Sequence, residues 1–252
     1  MVPSLWIPVL CGALGAGVQA PVSTTPSPEP AVQVAPPVER PLTRIVPNLG
    51  RDLKGLGHRD TLLIVGVGGI AAILAQQGDD RGYAWGASQP AGAWTDIGRM
   101  TGDGWVQGGL AVATWGVGRL TDAPLTTHVG SDLIRAQTLN MVTTRVLKIA
   151  VDRQRPSGGG HAFPSGHTSA SFTTAGVLHR HFGWKAGVPA YAAAGFIAAT
   201  RVRDRAHWVS DTVFGAALGL TAAWTVTRGH DQHTWSITPV ATPTSAGLVV
   251  RW

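Results

Sequence analysis

The sequence predicts an all-α protein, a bundle of about six helices with a proline-rich N-terminal arm and a short C-terminal β-hairpin. Apolar segments of helical length recur along the chain, and they are rich in Ala, Leu, Val and Gly. Only 13% of the 252 residues are charged and 44% are hydrophobic, which supplies ample material for a buried core. The composition therefore excludes a wholly disordered chain and indicates one domain with appendages.

The N-terminus carries two segments that we do not assign to the bundle. Residues 1–20 contain no charged side chain and an apolar stretch, a pattern typical of a secretory signal peptide, with an uncleaved anchor as the alternative. We therefore expect export to the periplasm or cell envelope. Residues 21–47 are dense in Pro, Ser, Thr and Val, which favours an extended linker. Cys11 is the only cysteine and lies in the first segment, so cysteine catalysis is excluded in a processed chain.

Six apolar segments are predicted to form the bundle, within a domain that we place at residues 48–230. In the third segment, Leu139, Val142, Val146 and Ile149 recur at spacings of three and four, which places them on one helical face. The six segments are Thr61–Ala75, Trp105–Leu120, Leu133–Val151, Thr168–Phe182, Ala186–Thr200 and Trp208–Val226.

The sequence does not decide whether the bundle lies in water or in a membrane. The uninterrupted apolar runs are shorter than the roughly 18 residues expected of a spanning helix, which favours a soluble bundle. The low charge and the ten Trp favour a membrane instead. In the tail, residues 231–252, apolar residues alternate at Leu248, Val250 and Trp252, and residues 243–247 supply a turn, which together predict the hairpin.

The charge balance favours an anionic partner. The chain has 20 Lys and Arg against 14 Asp and Glu, a formal net charge of +6. The basic residues form no run and do not alternate with aromatic residues, so we do not expect nucleic acid as a partner. A phosphorylated small molecule or lipid is the expected partner, and the oligomeric state stays open.

Two clusters of polar residues flank a predicted loop between the third and fourth helices. Lys148 lies near the end of the third helix, and Arg155 precedes the proline that ends it. For this first cluster, the simpler interpretation is that Lys148 forms a surface ion pair with an acidic neighbour on the helix. Ser165, Gly166 and His167 open the fourth helix, where unpaired backbone N–H groups form an anion cradle. Ordinary helix capping by Ser165 is the alternative.

A third cluster precedes and opens the sixth helix. It contains Arg201, His207 and Asp211. His207 and Asp211 are four residues apart, so on a helix they share a face and the carboxylate is expected to bond one imidazole nitrogen, leaving the other for chemistry. An ordinary surface His–Asp pair is the alternative.

Taken together, the three clusters resemble the three signature motifs of the type 2 phosphatidic acid phosphatase (PAP2) superfamily. The matching patterns are K-x6-R-P, P-S-G-H and R-x5-H-x3-D. That superfamily also includes bacterial nonspecific acid phosphatases and vanadium haloperoxidases. Thr200 stands where the family usually has Ser, which keeps the hydroxyl. The connection 157–163 is shorter than usual, and its glycines can close a tight loop.

The resemblance implies a phosphatase for phosphomonoesters or lipid phosphates of the phosphatidate or polyprenyl diphosphate type. It implies that His207 attacks phosphorus, that Asp211 orients His207, and that His167 protonates the leaving oxygen. It implies no metal and no cofactor, with vanadate as an inhibitor. A vanadium-dependent haloperoxidase and a non-catalytic envelope protein are the alternatives. The residues implied to bind the phosphoryl oxygens are Lys148, Arg155, Ser165, Gly166 and Arg201.

Overall fold

The computed structural model describes residues 5–9, 45–89, 92–228, 236–242 and 245–251. The chain divides into two compact units. One runs from Val38 to His230 and is helical, and the other combines residues 1–37 with residues 231–252.

The described part of the helical unit contains nine α-helices, and a short 3₁₀ turn (Gln76–Gly78) joins the second to the third. The six predicted segments are confirmed as the second helix and the fifth to ninth helices. Three shorter helices were not predicted, because they are polar or interrupted by Gly and Pro. The helices are α1 (Ile45–Gly55), α2 (Arg59–Ala75), α3 (Asp79–Ser88), α4 (Ala93–Thr101), α5 (Gly104–Leu120), α6 (Pro124–Val151), α7 (Gly166–Phe182), α8 (Trp184–Arg203) and α9 (Val209–Val226).

The second unit contains a three-stranded antiparallel sheet of β1 (Leu5–Val9), β2 (Ser236–Thr242) and β3 (Ser245–Arg251), in the order β1-β3-β2. The pairing of β2 with β3 bears out the predicted hairpin, but β3 begins at Ser245, so residues 245–247 of the predicted turn lie in a strand. β1 lies within the predicted signal segment. The rest of that segment, including Cys11, and residues 21–44 of the predicted linker lie outside the described residues, and signal cleavage stays a prediction.

Close contacts between helices depend on glycine. Gly219 of α9 lies against the carbonyl oxygen of Ser169 in α7, and Thr173 donates a hydrogen bond from Oγ1 to the Gly219 carbonyl at 3.3 Å. A side chain at position 219 has no room, because its Cβ would lie 2.9 Å from the Thr173 nitrogen. Leu139 of α6 and Val177 of α7 are fully buried in one hydrophobic core with Ala222, Ala223 and Val226 of α9. Thus α6, α7 and α9 form the centre of the unit.

One predicted helical face points away from this centre. Leu139 is buried, but Val142, Val146 and Ile149 are 38%, 59% and 64% exposed. The reason is the length of α6: the helix begins at Pro124, a favourable first helical position, and its N-terminal half supplies the contacts to the core. The spacing therefore correctly predicted a helix, but the apolar face at Val142, Val146 and Ile149 lies on the outside of the helical unit.

Among the residues that the structure describes, two helical stretches are long and apolar enough to cross a membrane. The first runs from Arg59 to Ser88, and only 17% of its most apolar window is buried; the second is α9, whose window is 61% buried. Burial of that extent equally suits a core helix. The outward side chains of α2 are apolar and range from 55% exposed at Leu63 to 65% at Ile73.

Candidate active site

His207 is held by the backbone in a way that fixes its tautomer. It lies in the turn between α8 and α9 and is 5% exposed. Its Nδ1 lies 2.7 Å from the carbonyl oxygen of Ala162, and a carbonyl oxygen only accepts hydrogen bonds. Nδ1 therefore carries the proton, and in the neutral imidazole the lone pair is on Nε2.

Asp211 does not make the hydrogen bond to His207 that the spacing led us to expect. Its Oδ2 lies 3.7 Å from His207 Nδ1 and instead accepts from the backbone N–H of Trp208 at 2.9 Å. The physical reason is that α9 begins only at Val209, so His207 precedes the helix and the spacing of four does not stack the two side chains. Asp211 is close enough to act on His207 as a charge, while Ala162 holds the ring.

A buried network behind Asp211 was missed in the sequence. Arg153 donates from Nη1 to Asp211 Oδ1 and from Nη2 to Asp79 Oδ2, both at 2.8 Å. Asp79 begins α3 and also accepts from the backbone N–H of Ser210 at 2.9 Å. The Arg153 guanidinium lies 5.4 Å from the ring centre of Trp208. The sequence does show Arg153 between Lys148 and Arg155, and this additional arginine was the only signal of the network. Nothing in the sequence pairs Arg153 with Asp79.

Lys148 and Arg155 lie where α6 ends, as predicted. Lys148 Nζ donates to the His161 carbonyl at 2.7 Å, and Arg155 Nε donates to the Gly160 carbonyl at 3.2 Å. The His161 ring lies over the end of α6, with Nδ1 3.0 Å from the Lys148 carbonyl. These contacts hold both cations at the loop that leads to α7.

The loop 157–163 closes through left-handed residues, as its glycines predicted. Gly158 and Gly159 have φ values of 93° and 83°, which a residue with a side chain adopts only at a cost. His161 also has a positive φ, 61°. The loop thereby brings the Ala162 carbonyl to His207.

The start of α7 supplies backbone donors. Ser165 is the residue before the helix and is fully buried, but its Oγ accepts from Thr168 Oγ1 at 3.0 Å and caps no backbone N–H. The Ser165 N–H donates to the Asp211 carbonyl at 3.0 Å, which joins this helix start to α9. A Cβ at Gly166 would lie 3.8 Å from Cε of Lys148. The N–H groups of the first turn, from Gly166 onward, have no acceptor within the helix.

Arg201 lies in the last turn of α8 and is 3% exposed. Its Nη2 donates to Asp204 Oδ2 at 2.8 Å and to the Thr95 carbonyl of α4 at 3.3 Å. Its Nε donates to Thr200 Oγ1 at 3.3 Å, so the Thr that replaces the usual Ser still provides its hydroxyl to this arginine.

The surroundings of His207 favour its neutral form. Burial lowers the pKa of His207, and the positive charges of Lys148 and Arg155 lower it further, while Asp211 raises it. His207 lies outside the two stretches that are apolar enough to span a membrane. A neutral imidazole with its lone pair on Nε2 is the nucleophilic form.

His167 is the second histidine of the site, and its surroundings also favour the neutral form. Burial lowers the pKa of His167 to about 4; Arg201 and His207 lower it as well, and Asp103 raises it. His167 too lies outside the two candidate spans. A bound phosphate dianion would oppose these effects, because a negative charge favours the imidazolium.

All eight residues that the sequence singled out are therefore linked at one end of the bundle. Contacts and charge interactions join the end of α6, the start of α7, the end of α8 and the turn before α9. The eight are Lys148, Arg155, Ser165, Gly166, His167, Arg201, His207 and Asp211.

Comparison with known proteins relates part of this chain to a known family. Residues 157–235 match the sequence model of the PAP2 superfamily, and this match covers the second and third clusters. Over these residues the chain is similar to the PAP2 superfamily. A lipid A 1-phosphatase of Porphyromonas gingivalis is 35% identical over 77 residues, which are 29% of this chain and 17% of that protein. The match thus spans only a small part of the curated relative.

The fold of this protein resembles that of a solved membrane phosphatase. The crystal structure of a transmembrane PAP2-type phosphatidylglycerolphosphate phosphatase from Bacillus subtilis superposes with a TM-score of 0.54 at 16% sequence identity. The superposition covers 73% of this chain and 98% of the other. The fold class predicted from the sequence is therefore confirmed.

Proposed function

We propose that this protein is a PAP2-type phosphatase that hydrolyses a lipid phosphate or diphosphate through a phosphohistidine on His207, without a metal. The observation that carries this proposal is the hydrogen bond from His207 Nδ1 to the Ala162 carbonyl at 2.7 Å. It puts the lone pair on Nε2, in a site whose other charged groups, Lys148 and Arg155, attract phosphate.

The reaction takes two steps. In the first, Nε2 of His207 forms a bond to phosphorus while the bond from phosphorus to the leaving oxygen breaks, and protonated His167 gives its proton to that oxygen. In the second, water attacks phosphorus, His167 takes a proton from the water, the phosphorus–nitrogen bond breaks, and inorganic phosphate leaves. His207 returns to its neutral form with the proton still on Nδ1.

Charge stabilisation accompanies both steps. Lys148, Arg155 and Arg201, with the amides at the start of α7, face the charge that develops on the phosphoryl oxygens; removing one such preorganised donor typically costs about 3 to 4 kcal/mol. The imidazole becomes positive in the intermediate, and Asp211, whose carboxylate lies 3.7 Å from Nδ1, stabilises that charge.

A lipid substrate follows from the surface of the helical unit. The outer side chains of α2 are apolar and more than half exposed, and in α5 Trp105 and Leu120 are 85% and 87% exposed. Soluble monomers rarely expose apolar patches of this kind, whereas a bilayer covers them. Both proteins matched above carry lipid phosphatase names. We place the protein at a membrane of the cell envelope, with the site accessible from the exported side.

The first experiment measures phosphate release from phosphatidylglycerol phosphate, lipid A, a polyprenyl diphosphate and p-nitrophenyl phosphate, with a chelator present throughout. We expect activity in the wild type and none in His207→Ala. His58→Gln is the matched control, because His58 is exposed and lies at the start of α2. Equal phosphate release by wild type and His207→Ala would overturn the catalytic role and favour a non-catalytic envelope protein.

The role of His167 requires a separate comparison of leaving groups. p-Nitrophenolate leaves without a proton, whereas a lipid alcohol needs one. We therefore expect His167→Gln to lose far more activity on the lipid phosphate than on p-nitrophenyl phosphate. Equal losses on both substrates would contradict a general acid at this position, and halide oxidation dependent on added vanadate would indicate a haloperoxidase instead.

A further inference from the structure

A second cluster of histidine and carboxylate side chains lies at the opposite end of α6 and α7 from the active site. His128 and Asp132 are in the first turns of α6, and His181 is in the last turn of α7. His181 follows His167 by 14 positions, so about 21 Å of helix separates this cluster from the site above.

The three side chains converge on one point. Oδ2 of Asp132 lies 3.6 Å from Nε2 of His128 and 3.1 Å from Nε2 of His181. All three ligand atoms lie within 4.8 Å of one another. The side chains of the two histidines are each 4% exposed and that of Asp132 is 2% exposed, so the cluster lies inside the helical unit.

The carboxylate of the cluster is held from behind. Asp132 Oδ1 accepts from Arg135 Nη1 at 3.0 Å, and Arg135 Nε donates to Asp52 of α1 at 3.0 Å. Arg135 thus fixes one oxygen of Asp132 and directs the other toward the histidines. Carboxylates that bind metal ions are usually oriented by such an outer hydrogen bond.

We propose that His128, Asp132 and His181 bind a zinc ion that joins the start of α6 to the end of α7. Zinc binds imidazole nitrogen and carboxylate oxygen at about 2.0 to 2.2 Å in a tetrahedron, which places neighbouring ligand atoms roughly 3.3 to 3.6 Å apart. Asp132 Oδ2 lies 3.6 Å from Nε2 of His128, at the upper end of that range, and 3.1 Å from Nε2 of His181, slightly below it. Two imidazoles with a carboxylate and no thiolate suit zinc among the available divalent ions.

The family resemblance implied no metal, and the sequence has no His-x-x-x-His pair to suggest one. The pair on α6 is His-x-x-x-Asp, which reads as an ordinary helical ion pair. The third ligand lies 49 positions further along the chain, so only the fold brings it close. The ion is structural and takes no part in phosphate release, which sets this proposal apart from the proposed function.

The test uses the full chain, purified and stripped with a chelator. Addition of Zn²⁺ to wild type is expected to restore one bound ion per chain by elemental analysis and to raise Tm by about 5 °C or more at 100 times the Kd. Co²⁺ is expected to give visible absorption bands of a tetrahedral site. Changes in outer ligand partners alone weaken metal binding about 10- to 100-fold, so His128→Gln and His181→Gln should weaken it more than about 100-fold.

Two further histidine variants serve as controls. His58→Gln tests an exposed histidine, and His207→Ala tests binding at the catalytic site; both should keep the zinc-dependent shift in Tm. The proposal is overturned if stripped wild type shows no stoichiometric zinc and no shift in Tm. It is equally overturned if both cluster variants keep the shift, or if His207→Ala alone abolishes it. Zinc binding is measured first on wild type, so the proposal can be tested even if a variant fails to fold.

Discussion

Arg153 donates a hydrogen bond from Nη1 to Oδ1 of Asp211 at 2.8 Å, and so fixes the carboxylate that lies 3.7 Å from His207, the proposed nucleophile. Asp211 is fully buried. Breaking a buried ion pair on one side leaves the other charge uncompensated, which is costly. Arg153 is therefore a positioning residue, since it acts through Asp211.

Arg153→Gln is expected to lower kcat about 100-fold with little change in KM, because a small displacement of the catalytic group has effects of that order. Steady-state kinetics on one phosphate ester provides the measurement, and Arg153→Lys should restore part of kcat. Arg119→Gln, at an exposed arginine of α5, is the control. A rise in KM with unchanged kcat would show that Arg153 binds the phosphate directly.

Asp211→Asn is expected to reduce kcat about 10- to 100-fold. In a catalytic triad whose aspartate fixes the histidine tautomer, the same change costs about 10⁴-fold. Here the Ala162 carbonyl fixes the tautomer, so the variant loses the charge and keeps the reactive nitrogen. The measurement is kcat at saturating substrate, with Tm as the check on folding. A loss near 10⁴-fold would mean that Asp211 controls the tautomer after all.

The pH dependence of kcat/KM is expected to favour acid, because His167 must be protonated to act as the acid and its pKa is lowered to about 4. Asp103 raises that pKa. Asp103→Asn should therefore shift the alkaline limb of the profile to lower pH. Asn caps helices as well as Asp does, so α5 keeps its N-terminus. Both proteins are measured on the same substrate, so the ionisation of the substrate affects both profiles equally. An unchanged alkaline limb in Asp103→Asn would exclude His167 as the titrating group.

Gly219→Ala is expected to lower the free energy of unfolding by about 1 to 3 kcal/mol, because the new methyl group meets the backbone of α7. Gly195→Ala is the matched control: position 195 is exposed and a Cβ there meets no atom within 4 Å. That change should be neutral or stabilising, since Ala favours helix over Gly. Unfolding curves should therefore show a loss of stability for Gly219→Ala and none for Gly195→Ala.

The sequence predicted those parts of the molecule that depend on short-range patterns. Six helices followed from apolar segments, and the resemblance of three short motifs to a known family singled out eight residues that the fold links at one end of the bundle. The start of α6 was placed too late, because its first turns bury polar side chains such as His128 and Asp132, and the hydrophobic pattern does not register buried polar residues. Asp79 could not be found, because it lies 74 positions from the arginine it holds.

The three cations of the site already bind protein oxygens in the fold. Lys148 holds the His161 carbonyl, Arg155 holds the Gly160 carbonyl, and Arg201 holds the Thr95 carbonyl. Entry of a substrate is therefore an exchange of acceptors. A neutral ester accepts hydrogen bonds from these cations no more strongly than the protein carbonyls do. A phosphate dianion accepts them more strongly, because hydrogen bonds to charged acceptors are about twice as strong. The enzyme should consequently distinguish phosphate esters by charge before it distinguishes them by the alcohol they carry.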